Sequence, residues 1–207
     1  MILGIDHIAI NTSDIDNFNK KILKKRYQKT FAEEIINSEM KRPFLKNYSK
    51  LHKISYHESL GKYFPIELTQ HGNDLINKET PISFNKNVII LKVKDITHEK
   101  LFWNNLLGIE ESKSKTIYFN SILSKRSFHL KLKLVEKNIS YTLDTEGNTC
   151  IALITKNLNQ SLEKINNFEF SEIIGPWKGR VNNKKLRIAM FKTKNNIIGE
   201  LIQMERN

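Results

Sequence analysis

Apolar and polar positions along this chain fall into a pattern that occurs three times: a β-branched run, a turn that can cap a helix, an amphipathic stretch, then further short runs. The first run, Gly4 to Asn11 (GIDHIAIN), predicts a strand. Thr12-Ser13-Asp14 supplies an N-cap. Asp14 to about Thr30 then carries Ile15, Phe18, Ile22 and Leu23 on one side, which predicts a helix. Strands are expected at Phe31 to Ile36, Leu51 to His57 and Tyr63 to Gln70, with a loop from Asn37 to Lys50 around Pro43.

The second occurrence opens on Asn87 to Val93. Asp95 then starts a helix with Ile96, Leu101, Phe102, Leu106 and Leu107, which stops at Gly108. Ile109 to Glu111, Thr116 to Asn120 and Phe128 to Val135 read as strands, the last in strict alternation. The third opens on Cys150 to Thr155, continues with a helix from Asn157 to about Asn166 and a strand from Phe168 to Ile174. It ends in a hairpin, Leu186 to Thr193 and Ile197 to Met204, turning at Lys194-Asn195-Asn196. Self-similarity in fixed order predicts three modules, at 1–75, 86–136 and 148–205, joined by polar linkers around Gly72 to Lys86 and Asn138 to Gly147.

Composition narrows the function. With 39% hydrophobic and 27% charged residues, the chain has the makeup of a globular protein with a real core. No apolar run approaches the ~18–20 residues of a membrane span, so no membrane partner is expected. The start, MILGIDHIAI, lacks the basic region of a signal peptide, and the lone Cys150 has no disulfide partner. A cytoplasmic location is therefore expected. The net charge of +12 points towards nucleic acid, but 28 of the 34 basic residues are Lys, while base readout favours Arg. The excess is spread over all three modules. The one dense cluster, Lys20, Lys21, Lys24, Lys25, Arg26 and Lys29, is read as a solvated helix face, so nucleic acid is not expected as a partner.

Three stretches carry a resemblance. Asp6-His7-Ile8-Ala9-Ile10 with Asp14-Ile15-Asp16, the run Phe102-Trp103-Asn104-Asn105-Leu106-Leu107-Gly108-Ile109 after Asp95-Ile96, and Phe191 to Ile202 closing on Gly199-Glu200 lie in one order. Together they resemble the vicinal oxygen chelate proteins (glyoxalase, bleomycin-resistance and extradiol dioxygenase kinds). The resemblance implies an α+β protein of three βαβββ-type modules forming curved mixed sheets, two of which pair into a cup. It also implies metal ligands on the first and last strand of a module.

Carried over position by position, the first-strand ligand is His7, seven residues before Asp14. The same offset gives Val88 before Asp95 and Cys150 before Asn157. Last-strand ligands are Glu67 and Glu200. The second module offers only Lys131 to Val135 there and reads as scaffold. If the first and third modules face each other, His7, Glu67, Cys150 and Glu200 converge. If the second and third pair, Glu200 faces Val88 and the set is incomplete. The implied cofactor is a divalent ion (Fe, Mn, Zn or Ni) or none, with His7, Glu67, Glu200 and Cys150 as ligands and Glu67 and Glu200 as proton carriers. Cys150 also reads as a small buried hydrophobe.

Other residues carry weaker signals. His71 shares the face of Glu67 only if its strand continues past Gly72. His52, His57, His98 and His129 show no ligand spacing and read as surface or strand residues. Trp177 and Arg180, in a stretch read as a loop, are candidates for binding a substrate of anionic or planar character. No phosphate loop, nucleophile elbow or paired-Cys motif is present. The expected activity is that of a metal-dependent isomerase, epimerase or lyase acting beside a carbonyl. A metal-free binding or sequestering protein on the same frame is the alternative. An odd number of modules leaves one without a partner, so a homodimer is expected.

Overall fold

In every module a strand runs directly into a capped helix. The side chains of Asp14, Asp95 and Asn157 accept hydrogen bonds from the backbone N–H of Asn17 (2.9 Å), His98 (2.9 Å) and Gln160 (3.1 Å). Each such cap contributes about 1 kcal/mol and fixes where the strand ends. The computed structural model describes residues 1–24, 27–61, 63–72, 79–110, 114–122, 127–169 and 171–205.

The first module comprises β1 (Ile2–Asn11), α1 (Ile15–Leu23), β2 (Tyr27–Ile36), a 3-10 helix (Glu39–Phe44), β3 (Leu51–Ser59) and β4 (Ile66–Gln70). The middle one comprises β5 (Ile82–Asn85), β6 (Val88–Val93), α2 (Ile96–Leu107), β7 (Thr116–Asn120) and β8 (Ser127–Leu134). The third comprises β9 (Gly147–Thr155), α3 (Leu158–Asn166), β10 (Glu172–Val181), β11 (Lys184–Lys192) and β12 (Ile198–Met204). The protein is α+β, with few helices on curled mixed sheets.

Strand order shows which modules pair. The first and third share one eight-stranded sheet, β10-β11-β12-β9-β1-β4-β3-β2, joined antiparallel at β1 and β9. The middle module forms its own sheet, β5-β6-β8-β7. Where the two edges of the large sheet approach, the Glu33 side chain accepts a hydrogen bond from Asn182 N–H at 2.6 Å and helps close a half-barrel.

The middle module is packed within the chain. Its Leu91, Phe102 and Trp103 share one apolar cluster with Ile8, Ile151 and Phe191 of the other two. Burial of each such side chain contributes roughly 1.5–3 kcal/mol. The middle module thus has no partner module in its sheet but is packed against the other two. Glu99 of α2 reinforces the packing. It is fully buried and accepts from Trp103 Nε1 (2.8 Å), Thr193 Oγ1 (2.9 Å) and Asn195 Nδ2 (2.9 Å), the last two on the β11–β12 turn. Burial pushes its carboxyl up to about 7, against the pull of those three donors.

Several expected boundaries move. The first helix ends at Leu23, not near Thr30, because Tyr27 is drawn into the core and begins β2 opposite Ser59. Of the basic cluster, Lys25 and Arg26 lie outside the described residues. The loop between β2 and β3 contains the 3-10 helix. Ile82–Asn85, read as linker, is a strand pairing with β6. Ile109 and Glu110 are not in a strand, and Glu111 lies outside the described residues. The stretch holding Trp177 and Arg180 is strand β10 rather than a loop, hydrogen-bonded to β11. Among the described residues no helix is long and apolar enough to cross a membrane.

Candidate active site

In each module the last strand runs parallel beside the strand that leads into the helix, in the same register. Ala9 stands opposite Glu67, Ile90 opposite Lys131, and Ala152 opposite Glu200. Those partners lie two residues after His7, Val88 and Cys150, so these three are equivalent positions. The middle module accordingly presents valine and lysine where the first presents histidine and glutamate.

Joining β1 to β9 brings the donors of the first and third modules together. His7 Nε2 is 3.6 Å from Glu67 Oε1 and 3.9 Å from Glu200 Oε2. His7 is buried, and its Nε2 has no hydrogen-bond partner among the described residues. Its other nitrogen is engaged: Nδ1–H donates to Asp6 Oδ2 at 2.7 Å. A carboxylate can only accept here, so in the neutral ring the proton sits on Nδ1 and the Nε2 lone pair faces the two glutamates.

Asp6 reaches this place through a backbone irregularity. Neighbouring residues on a strand point to opposite faces, which would turn Asp6 away from His7. The β1–β9 register slips between Ile5 and His7, making Asp6 the extra residue of a bulge that re-aims its side chain. The Tyr56 hydroxyl donates to the Asp6 carbonyl at 3.2 Å and supports the bulge. Its ring stands edge-on to His7 with centroids 5.7 Å apart, and stacks on Phe31 at 5.4 Å.

The electrostatics follow from this crowding. Burial acts to lower the His7 pKa, but Glu67, Asp6 and Glu200 outweigh it and raise the value to about 9. Burial raises Glu200 above the ordinary carboxylate range, while Lys41 and His7 pull it the other way. The donors open onto a cavity of about 250 Å³, lined also by Lys41, His52 and Tyr56, with apolar walls from Phe31, Ile188 and Ile202.

The remaining residues singled out from sequence fall as follows. Cys150 is fully buried in the apolar cluster that contains Tyr141 and Leu143, and burial holds its thiol well above the usual range. It does not line the cavity. Trp177 is half-buried against Ala152, Leu186, Ile188 and Ile202. Arg180 is exposed on β10, opposite Lys185, and lies off the cavity lining. His52 and His57 are strand residues of β3, and both are buried, as is His71 just beyond β4. Asp6, Tyr56 and Lys41 were not anticipated. Asp6 had one signal, its adjacency to His7, but a bulge leaves no trace in the hydrophobic pattern.

An ion bound at about 2.1 Å sets its ligand atoms roughly 3.0–3.4 Å apart. As they stand, no three His, Cys, Asp or Glu side chains among the described residues are placed to hold an ion. The two distances from His7 Nε2, 3.6 Å to Glu67 Oε1 and 3.9 Å to Glu200 Oε2, both exceed that span. The orphaned Nε2 and the oxygen-rich donor set fit a divalent ion.

No protein-family model matches the sequence, and no curated protein matches it. Solved structures do. Glyoxalase I from Zea mays aligns over 98% of this chain and 69% of its own, at 16% identity and a TM-score of 0.43. Streptomyces coelicolor methylmalonyl-CoA epimerase, in complex with 2-nitronate-propionyl-CoA, aligns over 98% and 95%, at 12% identity and a TM-score of 0.45. A glyoxalase/bleomycin resistance protein from Albidiferax ferrireducens aligns over 56% and 97%, at 12% identity and a TM-score of 0.40. The site stands on its own geometry.

Proposed function

We propose that the cup between the first and third modules is the active site of a metal-dependent small-molecule enzyme, an isomerase, epimerase or lyase acting beside a carbonyl. The observation that carries this is the buried, unpartnered Nε2 of His7, with Glu67 at 3.6 Å and Glu200 at 3.9 Å on strands from two modules. These three residues would hold the ion. Fe, Mn, Zn and Ni all suit one imidazole and two carboxylates. An ion held there would supply Lewis-acid chemistry, drawing electron density from a carbonyl oxygen.

The chain's own residues do the rest. Asp6 fixes the ring of His7 and directs Nε2 inward. Phe31, Ile188 and Ile202 exclude water from the reacting carbons. Glu67 and Glu200 approach the imidazole from different strands. One takes the proton from the carbon beside the carbonyl, leaving its electron pair on an enediolate. In an isomerisation that glutamic acid returns the proton to the neighbouring carbon; in an epimerisation it keeps the proton, and the other glutamate, itself protonated, gives its own to the opposite face.

Metal analysis after reconstitution is the test. About one equivalent is expected to stay with the wild-type protein and to be lost from His7→Ala. A wild type that retains no stoichiometric metal removes the metalloenzyme reading. A metal-free binding protein on the same frame is the second reading. It is favoured by Cys150, buried among apolar side chains, which leaves three donors where two complete modules would give four.

A further inference from the structure

We infer that Lys41 is a specificity-determining residue of this cavity, selecting substrates that carry a carboxylate or phosphate group besides their reacting carbons. This rests on the reading of the cup as the substrate site.

Lys41 sits on the 3-10 helix between β2 and β3, which is anchored by the fully buried Phe44. The one acidic residue of that helix, Glu39, is paired with Arg42. Arg42 in turn covers the Tyr48 ring at 4.0 Å. Lys41 is thus left to face the cavity, half-buried, with its ammonium 5.8 Å from the centroid of Trp177. None of the ion pairs among the described residues includes it. Set beside the apolar wall and outside those ion pairs, the Lys41 ammonium can attract an anionic group that enters the cavity.

Its surroundings point the same way. His52, also on the lining, stacks against His71 with ring centroids 4.6 Å apart. Burial first, and the charge of Lys41 second, hold both rings neutral. Lys41 is therefore the half-buried lysine of this wall; Lys184, also on the lining, is exposed, and the carboxylates of Asp6, Glu58, Glu67 and Glu200 line the same cavity. The apolar side chains of Phe31, Ile188 and Ile202 suit the carbon segment linking an anionic end to the reacting one. Arg180, the sequence candidate for an anion, lies off the lining, and Lys41 takes that role.

The test compares ligands that share a 2-hydroxy acid end and differ at the other. 2-Hydroxyglutarate and 3-phosphoglycerate carry a distal carboxylate and a distal phosphate, whereas 2-hydroxypentanoate ends in a methyl group. Dissociation constants are measured by calorimetry for wild type, Lys41→Met and Lys41→Arg, with the metal content of each recorded. The wild type is expected to prefer at least one anionic ligand over 2-hydroxypentanoate by about tenfold or more, the equivalent of ~1.4 kcal/mol. Lys41→Met is expected to lose that preference while keeping its affinity for 2-hydroxypentanoate, and Lys41→Arg to retain it. Whichever anionic ligand is preferred identifies the group. A preference unchanged in Lys41→Met, or no binding of any of the three, overturns the inference. If the preference depends on Lys41 in a protein that holds no metal, the inference stands and the metalloenzyme reading fails.

Discussion

Ala9 on β1 stands opposite Cys150 on β9, and by the same two-fold relation His7 stands opposite Ala152. The junction of the first and third modules is therefore pseudo-symmetric in backbone and asymmetric in chemistry. One side presents an imidazole and the other a thiol sealed in the core. The asymmetry predicts unequal effects of substitution. His7→Ala and Glu200→Ala should each abolish stoichiometric retention of a divalent ion, while Cys150→Ala should keep it. Metal analysis of the three purified variants checks this. Loss of metal in Cys150→Ala would place the thiol among the ligands.

In the proposed metal site, Asp6 would act on an ion only through His7. Removing the partner that orients a ligating imidazole costs roughly 10–100-fold in metal affinity. Asp6→Asn should fall in that range without changing the number of ions bound, because His7, Glu67 and Glu200 all remain. A competition titration against a chelator measures it. An affinity equal to wild type would mean that the 2.7 Å contact between Asp6 and His7 does not set the direction of Nε2.

Much of this site was legible in the sequence because it depends on repeated offsets. The seven-residue spacing from His7 to Asp14 finds Val88 and Cys150 as equivalents, and the parallel registers at Glu67, Lys131 and Glu200 agree. What stayed hidden depends on long-range contacts. The apolar runs of β1, β6 and β9 each announce a buried strand, but such a run does not say which neighbour buries it. Pairing β9 with β1 rather than β6 decides whether Glu200 joins His7. The bulge at Asp6 and the turn of Lys41 into the cavity likewise come from tertiary packing, and the Asn37–Lys50 stretch offers no periodicity from which to read them.

Gly199 shows how tightly Glu200 is held. A Cβ at this position would overlap the fully buried ring of Phe191, its cross-strand partner. Backbone on one side and packed core on the other leave little room to relax. Gly199→Ala should destabilise the protein by about 1–3 kcal/mol, the usual cost of overpacking a core. Urea unfolding followed by circular dichroism gives the value. The variant should also weaken metal retention, since the next residue is Glu200. Wild-type stability would show that the Phe191 ring can move aside freely.

His52 and His71 give the fold a defined sensitivity to acid. Both rings are buried and stacked, and neither Nδ1 has a hydrogen-bond partner. Burial first, then Lys41, pushes the His71 pKa down to about 3, with Asp144 opposing; His52 is pushed down as well, by burial, Lys41 and His71. In the unfolded chain both return to about 6.5. Between pH ~6.5 and ~3 the unfolded state therefore binds more protons, and folding stability is lost as the pH falls through that window. Each ring contributes a slope of up to about 1.4 kcal/mol per pH unit. Replacing both with phenylalanine keeps two stacked rings and removes both protons. The double variant should lose less stability than wild type between pH 6.5 and 4 in urea titrations at fixed ionic strength. Glu99, pushed up to about 7, works in the opposite sense, because its contribution is full below about 4.5 and is lost as the pH rises through 7. It is present in both proteins and cancels in the difference. Parallel pH profiles for the two would mean that the rings already carry protons in the folded state.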